Sequence, residues 1–217
     1  MNMPPFFDEV PRLRVQDPLA RLLGCAEDGE LEYGFGDAVR LAGHACPTVA
    51  SAYWLTFLAL EHLYPDGLPQ RGNIKVEFRD DARAGSTGVI ATVVQMLTGA
   101  AGSSGFKGIG GRFGRAGLIR SKPDLMDMLR FTRLDTGEAV DAGVDMTQLP
   151  AEPAIEGLIK RFTEGRASAE DERELGRRWQ ARVRHLLLDC GRDRAVFMLR
   201  PVKRPLHRRA AAGALAS

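Results

Sequence analysis

Cysteine is scarce in this sequence: Cys25, Cys46 and Cys190 are the only three in 217 residues. Three thiols at those positions do not make a disulfide framework, so a reducing, cytoplasmic setting is the expectation. Long apolar runs are missing as well. No stretch of eighteen apolar residues occurs, which argues against a membrane span. Residues 1–9 lack a basic start followed by an apolar stretch, so no secretory signal is expected. Nor is there an excess of charge of one sign. The 30 Lys and Arg stand against 28 Asp and Glu, a formal net charge of +2, with acids and bases mixed through most of the chain. That balance argues against a dedicated nucleic-acid binder. Ser-His-Asp and zincin motifs are absent, and so is any internal repeat.

What is present is an apolar fraction of 44%, enough for a real core. The length suits one ordinary domain with an accessory piece, or one larger domain. The chain is organised around Gly43-His44-Ala45-Cys46-Pro47-Thr48 and the apolar run behind it. Pro47 suits the first turn of a helix, where its missing N–H costs nothing. Residues 47–63 contain no glycine and one acid, Glu61, and their apolar side chains cover most of a helical circumference. The pattern predicts a buried helix with an imidazole and a thiol at its N-terminus. The dipole of a helix favours negative charge at that end, and a thiolate is the form that binds metal or attacks an electrophile.

His44-Ala45-Cys46-Pro47 before an apolar helix resembles the His-x-Cys-Pro-Gly signature of the FmdE family, which takes its name from formylmethanofuran dehydrogenase. A second segment, residues 87–118 with Gln95-Met96-Leu97-Thr98-Gly99 at its centre, resembles that family's helix, Leu-Thr-Gly turn and glycine-rich loop. Together the two cover about residues 35–135. Thr48 stands where the family usually has Gly. No cysteine occurs near Thr87-Gly88-Val89-Ile90, where the family has an Asp-Ala-Cys-Gly stretch. The resemblance implies a metal held by His44 and Cys46 in an α+β core. Some relatives add a cysteine-rich zinc finger. This chain has no Cys-x-x-Cys and so lacks it.

Thiolate plus imidazole suits Zn²⁺, although other transition metals would also bind. Two side chains leave a four-coordinate site incomplete. His62 cannot complete it, because it lies about 24 Å along the same helix at about 1.5 Å per residue. It reads as a solvated histidine at the helix C-terminus. His185, on the polar side of a later helix, and His207, in the tail, carry little weight as ligands. Asp80 and Asp81 follow a strand and are the better third-ligand candidates, the alternative being a solvated turn paired with Arg79 and Arg83. A direct Cys46–His44 nucleophile–base pair would need a bent loop, since alternate residues do not face each other on a helix or strand. The other constellation is the glycine loop at 105–115, where Lys107, Gly110, Gly111, Arg112 and Arg115 are candidates to hold an anionic ligand. It matches neither a Walker A loop nor a dinucleotide fingerprint.

The remaining pattern predicts an α+β fold with a mixed or antiparallel sheet packed on the buried helix. Asp17 and Pro18 start a short helix with Leu19, Leu22 and Leu23 as its apolar face. Cys25, just beyond it, reads as a packed or inert surface thiol. Strands are expected at 73–78, 116–120, 127–135 and 195–199, with a helix at 88–97 stopping at Gly99. Residues 137–152 read as irregular and as a boundary. Residues 153–188 read as a helical hairpin, its second helix capped by Ser168 and Asp171. Its stripe of Ile155, Leu158, Phe162, Leu175, Trp179 and Val183 calls for a partner surface, and a homodimer is expected. The domain plan is therefore 1–150 for the α+β core with its N-terminal extension, 151–200 for the hairpin and final strand, and 201–217 for a flexible basic, alanine-rich tail. Two functions fit: a metal-binding protein of the FmdE type, catalytic on a small molecule if the metal keeps an open position, or a non-catalytic accessory protein holding a small anion at the glycine loop.

Overall fold

A computed structural model describes residues 3–202. Residues 203–217, with the expected tail and His207, lie outside the described residues. The described residues are mixed α and β, with six α-helices and two sheets. After a 3₁₀ turn, Pro5–Asp8, come β1 (Leu13–Gln16), α1 (Pro18–Leu22), β2 (Glu30–Tyr33), α2 (Phe35–Ala42) and α3 (Pro47–Leu63). They are followed by β3 (Ile74–Phe78), α4 (Thr87–Thr98), β4 (Ile119–Ser121), β5 (Leu129–Arg133) and β6 (Ala139–Val144). A second 3₁₀ turn, Met146–Gln148, leads to α5 (Pro153–Thr163), α6 (Ala169–Arg184), a π-helical turn at His185–Asp189, and β7 (Phe197–Pro201).

The larger sheet runs β4-β3-β5-β6-β7. β3 and β4 are parallel; the other pairs are antiparallel. β1 and β2 form a separate antiparallel ribbon. Period-2 alternation puts Ile74, Val76 and Phe78 of β3 and Leu129 and Phe131 of β5 into the core. Against that layer lies α3, apolar all round as its sequence requires: Val49, Ala50, Ala52, Tyr53, Leu55, Ala59 and Leu60 are inaccessible to solvent. Its polar side chains turn their hydrogen bonds onto the main chain. Tyr53 Oη donates to Pro11 O at 2.7 Å, and Trp54 Nε1 to Gly191 O at 2.6 Å. At the other end Arg133 Nη1 donates to Leu63 O at 2.8 Å and lies over the Tyr64 ring, satisfying a terminal carbonyl.

Three expectations need correction. Residues 137–152 contain β6, a strand between β5 and β7, with Val140 and Ala142 fully buried. Its sequence, Ala-Val-Asp-Ala-Gly-Val, carries few residues that favour strands. Pairing with neighbours and the half-buried ion pair of Asp141 with Arg130 (Nη2–Oδ2 2.8 Å) hold it in place. The second concerns α1. Asp17 caps it, accepting from Leu19 and Ala20 N–H, yet Leu22 and Leu23 are 57% and 64% exposed. The cap and the burial of Asp17 make this helix, not an apolar face. The third is the start of the tail: Pro201 is the last residue of β7.

The hairpin forms as expected. Ser168 Oγ accepts from Asp171 N–H at 3.1 Å, and Asp171 Oδ2 accepts from Ser168 N–H at 2.9 Å. Much of its apolar stripe is covered within the chain: Ile155, Leu158 and Val183 are buried, and Trp179 packs against the core. Phe162 remains 58% exposed. Among the described residues no helix is long and apolar enough to cross a membrane.

Candidate metal centre

The connection between α2 and α3 is short because both helices end by strong local signals. Gly43 closes α2 in the left-handed region, φ 78°, which a side chain would disfavour. Cys46 is the N-cap of α3, with Pro47 at the first helical position. Only His44 and Ala45 lie between the caps. Cys46 Sγ accepts a hydrogen bond from Val49 N–H at 3.5 Å, so the thiol occupies the place usually taken by a Ser or Asp oxygen.

His44 is exposed, and its Nδ1 lies 3.0 Å from Ala42 O. A carbonyl can only accept, so Nδ1 carries the proton. Nε2 keeps the lone pair that a metal needs. Ala45, between the two donors, is buried, and its carbonyl is clamped from α6. Trp179 Nε1 donates to Ala45 O at 3.0 Å and Gln180 Nε2 at 3.3 Å. Because Nε2 of Gln180 points at a carbonyl, its Oε1 must point away from it. That oxygen is buried and has no hydrogen-bond partner. Trp179 and Gln180 are 134 and 135 residues from Ala45 along the chain, which is why sequence spacing did not connect them to the motif.

The two aspartates expected as further ligands are each paired with an arginine of their own turn. Asp80 and Asp81 form an exposed turn after β3. Asp81 Oδ1 is 3.0 Å from Arg83 Nε, and Asp80 Oδ1 is 3.6 Å from Arg79 Nε. The Arg83 main-chain N–H and then its guanidinium lower the Asp81 pKa. This is the solvated, paired arrangement. Among the described residues no three His, Cys, Asp or Glu side chains converge on a common point. The motif therefore offers two candidate donors, His44 and Cys46, beside an orphaned amide oxygen on the helix that clamps Ala45.

The glycine loop has a different internal logic. Ile109 and Arg112 exchange main-chain hydrogen bonds of 2.9 and 3.0 Å around Gly110 and Gly111, whose φ values are 55° and 75°. That is a two-residue hairpin turn with both central residues in the left-handed region, which requires these glycines without any ligand. Lys107 and Arg112 are exposed, Arg112 lying 4.9 Å over the Phe113 ring. Arg115 is not available to an external anion. Its side chain is 9% exposed and its Nη2 is 2.8 Å from Asp17 Oδ1, while Arg71 Nη1 is 2.6 Å from Asp17 Oδ2. Burial pushes the Asp17 carboxyl up, but Arg115, the Ala20 N–H, Arg71 and the Leu19 N–H together outweigh it and leave the pKa lowered. Gly99 belongs to this cluster. It ends α4 at φ 71°, and a Cβ there would overlap the Arg115 guanidinium. The Leu-Thr-Gly turn therefore serves packing around a buried ion cluster.

No protein-family model matches the chain, and no curated protein matches it.

Proposed function

We propose that this chain is a metal-binding protein of the FmdE type, with His44 and Cys46 holding a transition-metal ion, Zn²⁺ being the best match to a thiolate and an imidazole. The observation that carries the reading is the way the two donors are prepared. The ring of His44 is fixed through Nδ1, leaving Nε2 free, Cys46 sits at the N-terminal cap of a 17-residue buried helix, and α6 clamps the carbonyl between them. Outer hydrogen bonds of this kind orient metal ligands. The unpartnered Gln180 Oε1 supports the reading, since a group bound beside the motif would supply what that oxygen lacks.

Two protein ligands leave the remaining positions to water, a small substrate or a second copy of the chain, and a homodimer is part of this proposal. The ion supplies Lewis acidity to whatever occupies the open positions. His44, Cys46, Trp179 and Gln180 do the holding and orienting. An anion held by Lys107 and Arg112, with no metal, is the alternative. It is less well supported because the loop glycines already have a conformational task and Arg115 is engaged with Asp17.

The test is metal content per chain by elemental analysis of untagged protein purified without chelator, together with the mass in solution. Near-stoichiometric zinc in the wild type, lost in Cys46→Ser and in His44→Ala but kept in His62→Ala, supports the site. Equal metal in all four would make residues 43–48 a helix start and nothing more. A light-scattering mass of one 23.7 kDa chain at micromolar concentration would remove the dimer.

A further inference from the structure

A second cysteine–histidine pair lies where α6 gives way to a π-helical turn. Cys190 N–H donates to His185 O at 3.0 Å, an i to i+5 bond in place of the usual i+4. The wider turn brings two successive side chains, Asp189 and Cys190, onto the same imidazole. Asp189 Oδ2 lies 2.9 Å from His185 Nδ1, and Cys190 Sγ lies 3.4 Å from His185 Nε2. A carboxylate can only accept, so Nδ1 carries the proton and Nε2 faces the thiol with its lone pair. That is the order orienting carboxylate, base, nucleophile. The arrangement is not a metal site: both ring nitrogens are already engaged, and the three groups stand in line without converging.

Two further features suit chemistry. The side chain of His185 is 40% exposed and Cys190 is partly exposed, so a small molecule can reach them. The backbone after the thiol is held from the core. Trp54 Nε1 donates to Gly191 O, and a Cβ at Gly191 would come within 2.9 Å of the Trp54 ring and overlap Leu187 O. Burial, with Asp193 and Asp189 nearby, raises the thiol pKa. A thiol kept protonated needs a base to take its proton during attack, and His185 is placed to do so.

We propose that Cys190, His185 and Asp189 form an acyl-accepting triad for small activated esters and thioesters. Sγ attacks the donor carbonyl and a S–C bond forms. The C–O or C–S bond to the leaving group breaks, and the thiol proton passes through His185 Nε2 to the departing alkoxide or thiolate. The product is a thioester on Cys190. Water then attacks it, His185 takes a proton from that water, and the proton returns to Sγ as the S–C bond breaks and the carboxylic acid leaves. Asp189 is a positioning residue that holds the ring and its tautomer. Nothing in this depends on metal at His44 and Cys46.

The experiment is acetylation of the full chain by p-nitrophenyl acetate, followed by release of nitrophenolate and by intact and peptide mass spectrometry. Acetyl should appear on Cys190 on the order of 100-fold faster than on the exposed Cys25, a typical general-base effect. His185→Ala should lose that advantage and regain part of it on addition of imidazole. Asp189→Asn should slow acetylation and Asp189→Glu should restore it in part, a rescue that a purely structural role would not produce. Cys25→Ser should acetylate at Cys190 like the wild type. Comparable rates at Cys190 and Cys25, or a His185→Ala chain that keeps the wild-type rate, would overturn the proposal. So would a His185→Ala loss that imidazole leaves unrestored while the thermal midpoint stays unchanged.

Discussion

Two cysteine–histidine pairs lie among the described residues, and they are built in opposite ways. His44 and Cys46 are one residue apart at the start of a buried helix. Each is tied to the main chain, His44 to Ala42 O and Cys46 to Val49 N–H, and no hydrogen bond joins the two side chains. His185 and Cys190 are five apart at the end of an exposed helix, and there the side chains bond to each other through Nε2 and Sγ. Tying donors to the backbone leaves their lone pairs pointing outward, which suits an external ion. Tying them together uses those lone pairs internally, which suits proton transfer. The same two residue types are thus suited to different chemistry because of what their second hydrogen-bonding positions do.

The sharpest way to break this comparison is to exchange the readouts. Cys46→Ser should lower metal affinity by orders of magnitude and leave ester reactivity intact, whereas Cys190→Ser should abolish acetylation at that position and leave the metal content unchanged. Elemental analysis and acetyl mapping on the same preparations decide it. A mixed pattern would mean that the pairs are one site.

The Asp17 cluster is the control: a charged constellation with no imidazole and no thiol. Its carboxylate, 4% exposed, faces Arg71 and Arg115. Asp17→Ala leaves two guanidinium groups without their partner and should cost about 3–5 kcal/mol by urea unfolding. Metal content and acetylation of the folded fraction should be unaffected.

A smaller effect is expected at the clamp. Trp179→Phe keeps the ring but removes the hydrogen bond to Ala45 O. It should cost about 1 kcal/mol in stability, and metal affinity should fall by about 10–100-fold, the range typical of outer-shell ligand supports. Acetylation of Cys190 should not respond. Zinc binding equal to wild type would show that the motif holds its shape without α6.

The mildest perturbation is acid. An unfolded aspartate titrates at about pH 3.9, and in the folded chain Asp17 titrates lower. The folded state therefore binds the proton less readily than the unfolded state, so this carboxylate contributes stability above about pH 4 that is lost as pH falls through its folded value. Urea midpoints measured between about pH 5 and 3 should decline, and the decline should shrink in Asp17→Asn. An identical slope in both would place the acid sensitivity elsewhere.

How much of this was legible depended on the reach of the signal. The cap Cys46, Pro47 and the apolar circumference of α3 are written within a few residues, and the helix forms at Pro47–Leu63 as that pattern predicts. The stop at Gly99 and the Ser168–Asp171 box are equally local. Arg115 resembled its exposed neighbours Lys107 and Arg112, and nothing within the loop said that its partner would be Asp17, 98 residues away. The i+4 and i+5 spacing of Asp189 and Cys190 from His185 was visible, but in an ordinary helix only the first would meet the ring. The π-turn brought in the second.

By itself, then, the sequence determined the helix starts and stops, the buried character of α3, the α+β class and the position of His44 and Cys46 at the start of that helix. These follow from caps, periodicity and composition, which act over one or two helical turns. Tertiary structure decided the rest. It made a strand of Ala139–Val144, drew Arg115 inward, and laid Trp179 and Gln180 on Ala45. Each of those outcomes depends on a partner distant in sequence, because a buried polar or weakly strand-forming group takes whatever position satisfies its hydrogen bonds.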